Sequence, residues 1–387
     1  MSHVRLRHGV FLAPYHPVEE GPTTWLRRDI ELAQHLDKLG FDEMWVGEHH
    51  SGGYEIIAAP DLFIAAAAEV TRRLHFGTGV LTLPYHNPLM IANRMAQLDH
   101  QTMGRVSFGF GPGLLMTDAL MLGLDPDQTR DMMLEAIDVI IRLLKGECVT
   151  AKTEWFNLVD ARAHLLPFSQ PLEMAVASAG TPSGGRAAGR FGLSMLCVAA
   201  SQAGAFDVLA SNWMLANEVA SQYGHTMDPA GLRLVAPVHI AETREKAREN
   251  VKHGLERWIR YYDLAAPNPF PHDDRDPVDV LIDSGRAVIG TPDDAIAMID
   301  RLRAKQGQFG VFLAQHVDWA DWDQSLKSYE LYARYVMPHF NGANANRTAT
   351  YNVMHERGEE LLSLRRGAAI KAFAQHEAAE RARRKGD

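Results

Sequence analysis

Residues 40–51 read GFDEMWVGEHHS. From Phe41 to Val46 the run is largely apolar without strict alternation, and it then breaks into Glu48, His49 and His50. A strand buried on both faces reads this way, and such strands belong to parallel sheets covered by helices. Seven further runs share the pattern: HGVFLAP (8–14), LHFGTGVLTLP (74–84), RVSFGFG (105–111), LEMAVAS (172–178), LSMLCVAA (193–200), LRLVAPVHIA (232–241) and GQFGVFLAQ (307–315). Helical patterns separate them, as in TRDMMLEAIDVIIRLLKG (129–146). Eight strand–helix units in alternation predict an α/β fold, a (β/α)8 TIM barrel. A doubly wound open sheet is the alternative, because alternation alone does not require closure.

The last helix start is well marked: Thr291 is placed to cap, Pro292 sits at the first helical position, and Asp294 completes a Thr-x-x-Asp box. Two stretches leave the rhythm. LAAPNPFPHDDRDPVDVLIDSG (264–285) is rich in Pro and Asp and is expected to form a mobile lid over about 264–287. The tail 341–387 ends in EAAERARRKGD and is expected to be a solvated helical extension beyond a barrel domain of residues 1–340.

A formal charge of −9 argues against a nucleic-acid partner, which would call for a basic face. No run reaches the roughly 18 apolar residues of a membrane span. The apolar stretch after the first basic residues is too short for a signal-peptide core. Cys148 and Cys197 are the only cysteines and lie far apart, so no disulfide framework or CxxC metal site is expected. A cytoplasmic enzyme fits this composition.

Barrel chemistry sits at the C-terminal strand ends, which is where Glu48, His49 and His50 stand. Successive side chains of an extended strand point to opposite faces, so His50 should share a side with Glu48 and His49 should not. The two adjacent imidazoles therefore are not expected to hold one metal ion. A histidine facing the mouth suits proton transfer, although a structural histidine would look the same in sequence. Gly77, Gly79, Gly109 and Gly111 leave two neighbouring strand ends without bulk, either for a flat cofactor or for packing. FGFGPGLL (108–115) lacks the spacing of a dinucleotide fingerprint. ASAGTPSGGRAAG (177–189) offers Ser178, Thr181 and free N–H groups near Gly180 just before a helix, suited to a phosphate or simply an ordinary glycine-rich loop.

Together these stretches resemble the bacterial luciferase-like superfamily of flavin-dependent monooxygenases. The likeness covers most of residues 7–340. It rests on GFDEMWVGEHH, on LHFGTGVLTLP followed by NPLMIANRMAQLDHQTMGRVSFGFGPG, on ASAGTP and on VIGTPDDAIAMI. Within that group the chain is similar to limonene monooxygenase-type members.

The resemblance implies a flavin at the barrel mouth, with His49 as the catalytic histidine. Glu48, Gly111 and Ala177 would lie at the flavin, and Gly79–Val80 would form a non-prolyl cis peptide beneath its ring. Ser178, Gly180 and Thr181 would hold the phosphate. Gly111 stands where the luciferase catalytic subunit has a cysteine, and Pro112 replaces a phosphate-holding arginine, which speaks against light emission. Tyr15, His16, Tyr85 and His86 are expected to wall a substrate site.

The implied reaction uses reduced FMN from a separate flavin reductase and O2 to oxygenate a small apolar substrate through a C4a-(hydro)peroxyflavin. Epoxidation of a terpene such as limonene is the first choice. Oxidation of an alkanal or ketone, FAD in place of FMN, hydride transfer with F420, and a non-catalytic flavin-binding protein are the alternatives. The resemblance also implies a homodimer or higher homo-oligomer, for which the helix around Ala65–Ala68 offers a small-residue face.

Overall fold

Residues 5–265, 270 and 274–386 are described in a computed structural model of the chain. Eight parallel strands form the barrel: β1 Arg7–Leu12, β2 Glu43–Val46, β3 His75–Thr82, β4 Val106–Gly111, β5 Met174–Ser178, β6 Ser194–Cys197, β7 Leu232–Ile240 and β8 Val311–His316. They run in order from β1 to β8, and β8 pairs back with β1, Arg7 opposite Val311 through Leu12 opposite His316. The β6–β7 pairing, Met195↔Leu232 to Cys197↔Leu234, completes the ring and excludes the open-sheet alternative. Each strand corresponds to one of the eight apolar runs.

Three strands were not anticipated from the sequence. A short antiparallel hairpin, Val149–Lys152 with Asn157–Ala161, follows the helix Thr129–Leu144. Its faces alternate buried and exposed, so it lacks the continuous apolar run that marks the barrel strands. Val288–Gly290 adds a three-residue parallel strand outside β7. The helix Pro292–Gln306 starts as expected, with the Asp294 carboxylate accepting the Thr291 N–H at 2.8 Å and its hydroxyl at 3.0 Å.

Of the expected lid, residues 266–269 and 271–273 lie outside the described residues. Around them, the helix Leu255–Ala265 precedes a buried Phe270, whose N–H donates to Asp263. The helix Pro277–Asp283 is capped by Asp276 and buries Val278, Val280 and Leu281. Two compact units divide the chain, Met1–Met337 and Pro338–Asp387. The second carries the helices Ala345–Glu356 and Gly358–Gly386, with Tyr351, Met354, Leu362, Ile370 and Phe373 exposed. Ala67 and Ala68 of the small-residue helix are buried within this chain, so at those two positions the face belongs to the core.

The N-terminal end of the barrel is closed by a buried ionic plug. Arg233 near the start of β7 donates to Glu43 at 2.8 Å and to Glu173 at 2.8 Å, and Arg7 reaches Glu43 at 2.6 Å. Trp45 Nε1 also donates to Glu43, and the Arg233 guanidinium lies 4.7 Å from the Trp45 ring centroid. Burial alone would raise the Glu43 carboxyl, but the charges of Arg233 and Arg7 reverse this and hold it well below the usual carboxylate range. Removing one partner of such a buried network leaves an uncompensated charge. Arg233→Met should therefore lower unfolding stability by about 3–5 kcal/mol, read as a fall in the urea midpoint.

Candidate active site

The other end of the barrel gathers the loops that follow the strands. After β2 the chain runs through Gly47 and Glu48 to His49 and His50, and Gly52 and Gly53, at φ 78° and 77°, then turn it back along β1. The return is pinned by His16 N–H to Tyr54 O, Ile56 N–H to Pro14 O and His49 N–H to Ile57 O. Left-handed backbone at two successive positions calls for glycine, and it brings Tyr54 and Glu55 over the end of β1.

His49 and His50 point to different carboxylates. His49 Nε2 lies 3.3 Å from Glu55 Oε2, and its Nδ1 lies 3.6 Å from Asp118 Oδ2. Burial pulls the His49 imidazole down, but Glu55 and Asp118 outweigh it and raise its pKa above the ordinary value. His50 Nε2 instead meets Glu48 Oε1 at 3.0 Å, as does His86 Nε2 at 2.6 Å, while Glu48 Oε2 accepts the Thr82 N–H at 2.6 Å. Burial would raise the Glu48 carboxyl, yet these three donors hold it below its usual value.

Glu48, His50 and His86 bring one ligand atom each within 4.8 Å of one another, a spacing that a divalent ion could use. The sequence alone suggests only the adjacent pair His49 and His50 for such a site, and their alternation keeps those two apart. The partner that completes the group, His86, comes from the next strand's loop and had been assigned to the substrate wall.

At the end of β3 the Gly79–Val80 peptide is cis, as the resemblance implies. The neighbouring glycines answer a packing need. A Cβ on Gly77 would fall 2.2 Å from Trp45, one on Gly79 2.6 Å from Phe11, one on Gly109 2.4 Å from Thr78 O and one on Gly111 2.6 Å from Val80. The side-chain face at these positions is therefore filled by protein, which favours packing, one of the two readings the sequence leaves open, on that face.

Of the expected wall residues, Tyr85 and His86 are partly buried at the mouth, with His50 edge-on to Tyr85 at 5.7 Å. Burial pushes the Tyr85 hydroxyl up to about 12, so it stays protonated. Tyr15 is buried and stacks on Tyr54 at 5.0 Å, with Tyr261 tilted against both. His16 departs from expectation. It is 2% exposed, stacks on Trp25 at 4.4 Å and is held by the buried Asp29 at 3.0 Å, which makes it a packing group. An acidic partner in the following helix drew it inward, a contact that local sequence does not announce.

After β5, Ser178 is buried and its Oγ has no hydrogen-bond partner among the described residues. Ala177 is partly buried, and Gly180 and Thr181 are exposed just before the helix Ser183–Phe191. The first-turn N–H groups of a helix have no partner within it and favour an anion. Gly184, Gly185 and Gly189 let that helix seat against Ala177 O, Asn212 O and Ala216 O, each within 2.6 Å of where a Cβ would stand. Asn212 donates to Ala179 O at 3.2 Å and Thr181 O at 3.1 Å, fixing the loop from the next helix. An orphaned buried hydroxyl beside open N–H groups fits a cofactor's phosphate.

Glu55, Asp118, Asn212 and Tyr261 were not singled out from sequence. The SGG turn after His50 was the one available signal, since a double glycine there folds the next residues back toward the strand end.

A closed parallel barrel with incompletely satisfied titratable groups gathered at its C-terminal mouth is the architecture of an enzyme. The chain belongs to the luciferase-like monooxygenase family, whose model matches residues 6–308. It is 44% identical over 378 residues to limonene 1,2-monooxygenase of Rhodococcus erythropolis, covering 97% of this chain and 96% of that protein. Among solved structures, the monooxygenase RslO1 from Streptomyces bottropensis superimposes with a TM-score of 0.78 at 25% identity, over 87% of this chain and all of that one. The oxygenating constituent of 3,6-diketocamphane monooxygenase from Pseudomonas putida, in complex with FMN, shares the fold with a TM-score of 0.72 at 24% identity, covering 86% and 98%. The protein is a monooxygenase by family, and no described helix is long and apolar enough to cross a membrane.

One buried acid near the mouth offers a test by pH. Asp318, just beyond β8, is 3% exposed, and one of its carboxylate oxygens has no partner among the described residues. Burial pushes its pKa from 3.8 up to about 6, against the opposing charge of His16. A folded pKa above the unfolded one means that the folded state holds the proton more tightly. The favourable contribution is full below 3.8 and is lost as pH rises through about 6. Asp318→Asn should raise Tm at pH 8 relative to the parent, with the gain shrinking toward pH 5, as followed by calorimetry.

Proposed function

We propose that the protein is the oxygenating component of a two-component system, taking reduced FMN from a separate flavin reductase, together with O2, and oxygenating a small apolar substrate. A terpene alkene such as limonene is the substrate of choice. The observation that carries this reading is the 44% identity to limonene 1,2-monooxygenase along almost the whole of both chains. The FMN complex of a neighbour with the same fold supports the choice of flavin. The protein is proposed to work as a homodimer or higher homo-oligomer.

Reduced flavin, when bound, would supply the two electrons that activate O2, one atom of which goes to the substrate and the other to water. The chain supplies the setting. The Ser178 hydroxyl, with the N–H groups of Gly180 and Thr181, would hold the phosphate, and Asn212 keeps that loop in place. Gly79, Val80, Gly111 and Ala177 would border the ring. Tyr15, Tyr54, Tyr85 and Tyr261 give the site apolar faces, and burial keeps the hydroxyls of Tyr15, Tyr85 and Tyr261 protonated, which suits an apolar substrate and limits water. His49, between two carboxylates and with a raised pKa, would donate and recover a proton beside the reacting oxygen. Glu48 orders the mouth by holding His50, His86 and the Thr82 amide together.

Incubation with FMN, a flavin reductase, NADH and limonene should give an oxygenated terpene by mass spectrometry. Failure with limonene and with every terpene, aldehyde and ketone of a panel would overturn the reading. In His49→Ala, flavin binding should persist while product formed per O2 consumed falls sharply; unchanged coupling would remove His49 from the mechanism. Ser178→Ala deletes a buried hydrogen bond to a charged group, so FMN affinity should drop about tenfold or more in a fluorescence titration. A parallel titration with F420 that bound more tightly than FMN would redirect the assignment to hydride transfer.

A further inference from the structure

Two imidazoles from different loops aim at one oxygen atom. His50, in the loop after β2, places its Nε2 3.0 Å from Glu48 Oε1. His86, in the loop after β3, places its Nε2 2.6 Å from the same oxygen. The two rings stand 6.5 Å apart, tilted by 60°, and the three ligand atoms all lie within 4.8 Å of one another. His49 takes no part, since its nitrogens face Glu55 and Asp118.

Each member is held in place by the chain around it. Glu48 Oε2 accepts the Thr82 N–H at 2.6 Å, which fixes the carboxylate and leaves Oε1 to the imidazoles. The His50 backbone N–H donates to Asp118 Oδ1 at 3.2 Å, and its ring is edge-on to Tyr85. The His86 N–H donates to Leu83 O at 3.1 Å, and the next residue, Asn87, caps the helix Pro88–Thr102. Metal sites depend on outer partners of this kind to orient their ligands. The Glu48 side chain is fully buried, whereas those of His50 and His86 are 29% and 18% exposed, so solvent reaches the group from the imidazole side.

We propose that Glu48, His50 and His86 form a binding site for a divalent first-row transition ion, Zn2+ above all, which clips the loops after β2 and β3 together. Two imidazole nitrogens and one carboxylate oxygen suit Zn2+, whose three-ligand sites keep a further position for water. Mg2+ and Ca2+ prefer oxygen throughout. Binding exchanges protons for the ion. Each Nε2 gives up the hydrogen bond it donates to Glu48 and offers a lone pair, the neutral rings carry their proton on Nδ1, and any excess proton goes to solvent. The Glu48–His86 contact then lengthens, because ligands about 2.0–2.1 Å from a tetrahedral ion stand roughly 3.3 Å apart. No oxidation state changes and no flavin is needed, so the site does not depend on the proposed oxygenation.

The full chain is tested without flavin, stripped of metal by chelation, in the parent, His86→Gln, His50→Gln and Glu48→Gln forms. Calorimetric titration of the parent with ZnCl2 should show saturable binding at this site. Saturating Zn2+ should also raise Tm, as an ion held only by the folded state must. Mg2+ at the same concentration should do neither. Each substitution should weaken the site about tenfold or more and shrink the rise in Tm. Gln at position 86 keeps a donor for Glu48, and its Tm without metal checks that the mouth still folds. Anomalous diffraction at the zinc edge from parent crystals should place the ion between the three side chains, a readout that needs no variant.

Zn2+ bound with unchanged affinity in both His50→Gln and His86→Gln would assign it to other histidines of the chain and overturn the proposal. So would a parent that shows no saturable Zn2+ binding, or anomalous density only at other side chains. None of these readouts uses turnover. The site can therefore fail while the oxygenase reading holds, and the oxygenation assay can fail while the ion is bound.

Discussion

Closure of the sheet is the constraint on which everything else depends. Once β6 pairs with β7 and β8 returns to β1, eight strands point the same way, and their ends become two chemically distinct rims. At the N-terminal rim, Arg233, Glu43, Glu173 and Arg7 neutralise one another under Trp45. Arg233 and Glu43 are fully buried and paired there, while Arg7 and Glu173 remain partly exposed. At the C-terminal rim the titratable groups are only partly satisfied: His49 Nδ1 and Ser178 Oγ are buried without hydrogen bonds among the described residues. The difference between a completed network and an incomplete one separates the end that stabilises from the end proposed to react.

Within the reactive rim, two carboxylate–histidine systems lie side by side without merging. Glu48 gathers His50, His86 and the Thr82 amide, and so ties the loops after β2 and β3 together. Glu55 and Asp118 take His49 between them and connect it to the loop after β4 and to the helix Leu255–Ala265. The strand-like alternation of side chains through Glu48, His49 and His50 keeps the two systems apart. His50 is bound to the fully engaged Glu48, and its neighbour His49 sits between the carboxylates of Glu55 and Asp118.

The strands were legible because each is a continuous apolar run, and the GTPDDAIAMI cap because its residues act locally. Glu48 and His49 could be placed at a strand end for the same reason. Whatever depends on a return of the chain was not legible. Glu55 reaches His49 because Gly52 and Gly53 reverse the backbone, and Tyr261 reaches Glu55 across 206 positions of sequence. His16 looked like a wall residue until Asp29, thirteen residues on, took it inward. The hairpin at 149–161 was missed because its faces alternate, and a search for fully buried runs passes over a half-exposed pair. The glycines of β3 and β4 could be read either way, and only the positions of Trp45, Phe11 and Val80 decide for packing on the side-chain face.

The central claim is that the C-terminal mouth cradles a flavin, its phosphate at the loop that follows β5 and its ring beside the loop that follows β2. Diffraction from crystals of the protein grown with FMN tests it most directly. The account predicts phosphate density within hydrogen-bond distance of the Ser178 hydroxyl and the Gly180–Thr181 amides, and the isoalloxazine over Gly79–Val80 within reach of His49. A ring bound at another face, or a mouth that FMN leaves empty at saturating concentration, would contradict it.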